Sequence, residues 1–100
     1  MTRYVLAPAA RDDLAEIASY IAADNPVAAR RFLLRIRNAF RTLAARPRVG
    51  HLRDDLTDEP LRFWSVGGYL VIYRHEPTPI QIVRVISGRR DVSTILMMSE

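Results

Sequence analysis

Groups able to handle a phosphate or a proton are unevenly supplied in this chain. All fifteen basic residues are arginine, and lysine and cysteine are absent. There is no side-chain amine to act as a base or form a Schiff base, and no thiolate to attack or to bind zinc. His51 and His75 are the only imidazoles. Cleavage of RNA by its own 2′-hydroxyl needs a base, an acid and cations around the phosphate. Arginine stays charged at every working pH, so it stabilises a phosphate but accepts a proton poorly. The two histidines match no motif, and they read first as solvated polar residues. The adjacent acids Asp12-Asp13, Asp54-Asp55 and Asp58-Glu59 point apart on helices and strands, so they read as helix-end charge and loop solubility rather than metal ligands. No G-x-S-x-G elbow is present. Gly67-Gly68 is followed by no helix, so it reads as a hairpin turn rather than a phosphate loop.

The more informative pattern is the placement of charge. The net charge is +4. Residues 30–48 hold seven arginines (30, 31, 35, 37, 41, 46 and 48) and no acid. The acids Asp54, Asp55, Asp58 and Glu59 follow at once. A basic block of this density suits an anionic partner, either a nucleic acid or an acidic protein. Its arginines could equally pair with the acidic loop behind it.

The elements that must position these groups follow from periodicity. Tyr4-Val5-Leu6 reads as an opening strand, and Pro8 suits the first turn of a helix. Ala10, Leu14, Ile17, Ala18 and Ile21 fall on one face of that helix. Asp24-Asn25-Pro26 ends it and starts a second, with Asn25 as cap and Pro26 at the first helical position. The second helix is expected over 26–46, with Ala29, Leu33, Ile36, Phe40 and Leu43 as its buried stripe. Arg30, Arg37 and Arg41 lie in a narrow arc beside that stripe, and Arg31, Arg35 and Arg46 lie on the outward side. Residues 47–60 carry turn formers without periodicity and read as a loop. Strands are expected over 61–66, 69–75 and 80–86, and a short helix within 89–98.

The fold class is therefore α+β: an N-terminal strand and an antiparallel helical hairpin packed on a mostly antiparallel sheet, in the order β-α-α-β-β-β with a short C-terminal helix. The hundred residues read as one domain over 1–100. Residues 69–73 and 82–86 are apolar on both faces. One helical hairpin covers one face, so the other needs the C-terminal segment or a partner. No apolar run reaches about 18 residues, which argues against a membrane span. Early acids and arginines argue against a signal peptide, so a cytoplasmic protein is expected.

The order of elements and several local sequences resemble the RelE/ParE superfamily of type II toxin–antitoxin toxins. The likeness runs through Pro8-Ala9-Ala10-Arg11-Asp12-Asp13-Leu14, Ile17-Ala18-Ser19-Tyr20-Ile21 and Arg46-Pro47-Arg48-Val49-Gly50. It continues in Tyr69-Leu70-Val71-Ile72-Tyr73-Arg74. It ends in Val83-Arg84-Val85-Ile86-Ser87-Gly88-Arg89-Arg90-Asp91, its most specific stretch. The closing stretch and the long hairpin look more like the ParE branch.

That resemblance implies a toxin that inhibits DNA gyrase, blocks replication and arrests growth without being an enzyme itself and without a cofactor. It implies neutralisation by a ParD-like antitoxin whose disordered segment folds around the toxin, in an even-numbered assembly that meets operator DNA only through the antitoxin. Arg89, Arg90, Asp91, Met97 and Met98 are then the candidates for target contact. Arg31, Phe32, Leu34, Arg35, Trp64, Tyr73 and Arg74 are the candidates for antitoxin contact. The RelE branch, a ribosome-dependent mRNA endonuclease, is the alternative, and there Arg62, Arg84, His51 and His75 would be the catalytic set. That branch commonly uses lysines and a C-terminal tyrosine, and this chain has no lysine and no tyrosine after Tyr73. An inactive nucleic-acid- or protein-binding member of the superfamily is a third reading.

Overall fold

The chain opens with β1 (Tyr4–Leu6) and turns at Ala7 into α1 (Pro8–Asp24), where proline takes the first turn and loses no hydrogen bond. This computed structural model describes residues 3–88, 90 and 92–98, the last two by their backbone alone. Asn25 serves both helices of the hairpin. Its N–H donates to the Ile21 carbonyl at 2.8 Å, and its side-chain oxygen accepts from Ala28 N–H at 3.1 Å, capping α2 (Pro26–Ala45). Helix α2 buries Ala29, Ile36, Ala39, Phe40 and Leu43, while Leu33 is only half-buried. Pro47 follows the last helical bond, from Arg46 N–H to the Thr42 carbonyl.

The rest of the chain is β2 (His51–Leu52), β3 (Arg62–Val66), β4 (Tyr69–Arg74), β5 (Ile80–Ser87) and α3 (Val92–Met98). The five-stranded sheet runs β1-β5-β4-β3-β2. Only β1 pairs in parallel, with Tyr4 opposite Ile80 and Leu6 opposite Ile82. Gly67 and Gly68 close the β3–β4 hairpin with φ of +50° and +86°, a left-handed pair that side chains resist. Residues 47–60 were expected to be a loop throughout, but His51 and Leu52 pair with Phe63 and Arg62 as a short edge strand. Two residues carry no periodicity, and this pairing depends on the neighbouring strand rather than on the segment itself.

The sheet is covered on both faces. Val71, Tyr73, Ile80, Ile82 and Val85 pack beneath Ile36, Phe40 and Leu43 of α2. Leu61, Phe63, Ile72 and Ile86 pack against Val92, Ile95 and Leu96 of α3. The two-sided apolar strands are thus met by the C-terminal helix, one of the two covers their pattern demands. Each buried aliphatic side chain contributes about 1.5–3 kcal/mol at most, so the three from α3 hold it down by roughly 5 kcal/mol. Among the described residues no helix is long and apolar enough to cross a membrane.

Candidate functional site

Asp13 was read as helix-end charge, and the structure gives it another task. It is 7% exposed, on the inner face of α1. Its carboxylate accepts from Arg84 Nε at 2.7 Å and Nη2 at 2.8 Å, and from the Val85 backbone N–H at 2.9 Å. The hydrogen bonds to Asp13 hold the Arg84 guanidinium above its ordinary value. The fork-on-fork geometry ties α1 to β5 and also satisfies an amide of β5 beyond the reach of β1.

Tyr73 forms a second internal tie. Its ring is fully buried in the helix-side core. Its hydroxyl accepts from Gly50 N–H at 2.9 Å and donates to the Pro47 carbonyl at 2.7 Å. Burial pushes the phenol above its ordinary value. A Cβ at position 50 would lie 2.5 Å from that hydroxyl, so only glycine allows the approach. Arg62 donates from Nη1 to the carbonyls of Gly50 at 2.7 Å and Arg48 at 3.2 Å. The segment after α2 is therefore pinned to the sheet by one phenol and one guanidinium.

These ties decide where the nuclease candidates stand. By strand alternation Arg62 shares the face of Trp64 and Arg84 that of Ile86, and those neighbours pack in the two different cores. His51 is exposed on β2, and His75 follows β4 with Nδ1 3.9 Å from Glu76. The four residues do not converge on one point. Both arginines are engaged within the protein, one with a carboxylate and one with carbonyls.

The antitoxin candidates divide. Arg31, Phe32 and Arg35 of α2 line a groove of about 280 Å³ with Ile21, Ala28, Val66, Gly67 and Tyr69. The rings of Phe32 and Tyr69 meet at 5.0 Å between centroids, tilted by 57°. The Arg35 guanidinium lies over Gly67, where an added Cβ would stand 2.7 Å from Nη1. Leu34 is 62% exposed on the outer side of the helix. Trp64 is half-buried against the helix-side core. Arg74 pairs with Glu59 at 2.5 Å. Tyr73 was expected to contact the antitoxin, but it presents no surface, because the Pro47–Gly50 segment closes over it. Of the target candidates, Arg90 is exposed. Arg89, Asp91 and the side chains of Met97 and Met98 lie outside the described residues.

The groove was not visible as such in the sequence. Ile21, Val66 and Tyr69 join it only because the β3–β4 turn folds against the base of the helical hairpin. The arginines of the basic block are not consumed by the acidic loop. Among the described residues none of the seven forms an ion pair, and the loop acids that do so meet Arg53 and Arg74 instead.

Among the described residues, the molecule is a small α+β protein with arginines outside any ion pair beside an apolar groove, on a helical hairpin over a two-sided sheet. Residues 4–92 match the family described as the ParE toxin of the type II toxin–antitoxin system parDE. The chain belongs to that family, and is a ParE-type toxin of a ParDE toxin–antitoxin system. Its fold is similar to a solved structure described as the chromosomal ParDE TA system from P. aeruginosa. The TM-score is 0.70 at 21% identity, over 87% of this chain and 96% of that one. No curated protein sequence matches the chain.

Proposed function

We propose that this toxin inhibits DNA gyrase, blocks replication without catalysing a reaction itself, and is held inactive by a ParD-like antitoxin in the cytoplasm. The observation that carries the antitoxin half is the groove between α2 and the β3–β4 turn. It offers an apolar floor of Phe32, Tyr69 and Val66 flanked by Arg31 and Arg35. An amphipathic segment with apolar anchors and acidic neighbours fits that arrangement, folding as it binds. The apolar floor supplies affinity, and the arginines select for carboxylates.

The gyrase half is supported by the branch of the family and by the engagement of Arg62 and Arg84. A guanidinium held by Asp13 and another held by two carbonyls are poorly placed to work together on a phosphate. Target contact then falls to the segment around Arg90 and the C-terminal helix. The exposed Arg90 lies on the same surface as Glu16, Tyr20 and Tyr69.

The test is a supercoiling reaction with purified gyrase, ATP and plasmid. Accumulated linear plasmid after detergent and protease, abolished by antitoxin, is the expected result. Unaltered supercoiling by a toxin that still arrests growth overturns the gyrase assignment and directs the work to translating ribosomes. For the groove, Phe32→Ala with Arg35→Gln should weaken antitoxin binding at least tenfold while the toxin keeps its circular dichroism.

A further inference from the structure

The seven arginines of the basic block do not form one surface. Arg31 and Arg35 flank the groove. Arg30, Arg37 and Arg41 fall on a different arc of α2, about 80° or more around the helix at 3.6 residues per turn. All three are exposed, and among the described residues none has an ion-pair partner. Arg41 donates to the neutral Asn38 Oδ1 at 3.4 Å, and among the described residues no carboxylate compensates its charge. The groove residues do not include them, and the one large apolar side chain in their row is the exposed Leu34, which stands outside the groove.

We propose that Arg30, Arg37 and Arg41 form a stripe that grips the phosphate backbone of duplex DNA, so that the toxin contacts DNA directly and without reading its sequence. The proposal is independent of the gyrase reading. Charge complementarity supplies the argument. The stripe is entirely cationic on a helix with no acid from Pro26 to Ala45. It extends about 16 Å along the axis at 1.5 Å per residue. Over that length one strand of B-DNA presents about five phosphates, at 3.4 Å of rise each. Guanidinium forks suit phosphate oxygens, and long side chains on a rigid helix can reach several of them.

An acidic peptide is the less suitable occupant. It would draw its affinity from an apolar groove, and the molecule offers that beside the other two arginines, whereas the stripe has the single exposed Leu34 in its row. Single-stranded nucleic acid is bound through aromatic platforms, and the stripe itself contains no aromatic residue. A regular row of cations with no aromatic residue to stack on suits contacts to the phosphate backbone.

The experiment is fluorescence anisotropy of a labelled duplex of arbitrary sequence with the full-length toxin, across a salt series. The expected result is saturable binding at about 50 mM salt that weakens steeply toward about 200 mM. The triple variant R30Q/R37Q/R41Q should flatten the log–log salt slope by about 2.7, which is 0.9 for each lost phosphate contact. R31Q/R35Q should leave that slope within one unit and weaken antitoxin binding instead. Circular dichroism of both variants checks that the fold is kept. Absence of duplex binding at low salt overturns the proposal, as does an unchanged slope in the triple variant. Binding of polyglutamate as tight as that of the duplex, and lost in the triple variant, also overturns it and assigns the stripe to an acidic protein. Because gyrase is absent from this assay, its failure leaves the supercoiling result untouched.

Discussion

Asp13→Ala should be the most damaging single change outside the two apolar cores. The substitution removes two charge-assisted hydrogen bonds to Arg84 and the acceptor of the Val85 amide. Both charged side chains are shielded, at 9% and 14% exposure, so solvent screening recovers little of the loss. Breaking a buried pair from one side costs about 3–5 kcal/mol. An orphaned buried amide costs about 1–3 kcal/mol, partly the same loss because one carboxylate oxygen serves both. A total near 4 kcal/mol is expected, against about 5–15 kcal/mol for a whole domain. At about 4–8 °C per kcal/mol for a chain of this size, the melting midpoint should fall by about 15–30 °C. Urea titration followed by far-UV circular dichroism and by the fluorescence of Trp64 measures it. Antitoxin must be absent, because a ligand of the native state would mask the loss. The double variant D13L/R84M removes both charges and should recover part of the deficit. A loss below about 1 kcal/mol for D13A, or a double variant worse than the sum of the singles, would refute the assigned role.

Other outcomes follow from the same contacts. Tyr73→Phe should cost about 1–3 kcal/mol by stranding Gly50 N–H and the Pro47 carbonyl. The phenol is raised in the folded state, so the unfolded chain releases its proton first as pH climbs past the ordinary value of 10.0. Native stability therefore declines with rising pH above that point, and the phenylalanine variant should show a shallower alkaline decline in urea midpoints. Gly50→Ala places a methyl 2.5 Å from the Tyr73 hydroxyl and should destabilise as much as Tyr73→Phe, read by the same titration. Ile95→Ala thins the cover over Phe63, Ile72 and Ile86 and should cost about 2 kcal/mol, with increased dye binding to the exposed sheet face.

The elements were legible because their signals are local. Pro8, Asn25-Pro26 and Pro47 mark the helix ends, and Gly67-Gly68 marks the hairpin, so observed boundaries differ by one or two residues except in the C-terminal segment. The two-sided apolar pattern of β4 and β5 correctly demanded a second cover. What the sequence hid were relations between distant residues. Asp13 sits at helical spacing from Ala10 and Ile17 on the buried face, and an acid there signals a buried partner. Nothing local names Arg84, 71 residues away. Tyr73 was read as a contact residue, while its partners lie 23 and 26 residues upstream, where no local pattern points to them. The groove escaped notice for the same reason, since α1, α2 and the β3–β4 turn each supply a part.

The tie between Asp13 and Arg84 also sets an order of events during synthesis. At about 5–20 residues per second, roughly 4–14 s pass between the making of these two side chains. The helical hairpin can form early from its own contacts, whereas β1 and Asp13 wait for the strand that holds Ile80, Arg84 and Val85. Tyr69, the last contributor to the groove, is made fifteen residues ahead of Arg84. A nascent toxin thus possesses every side chain of the surface proposed to receive its antitoxin before the clasp that completes its own fold exists.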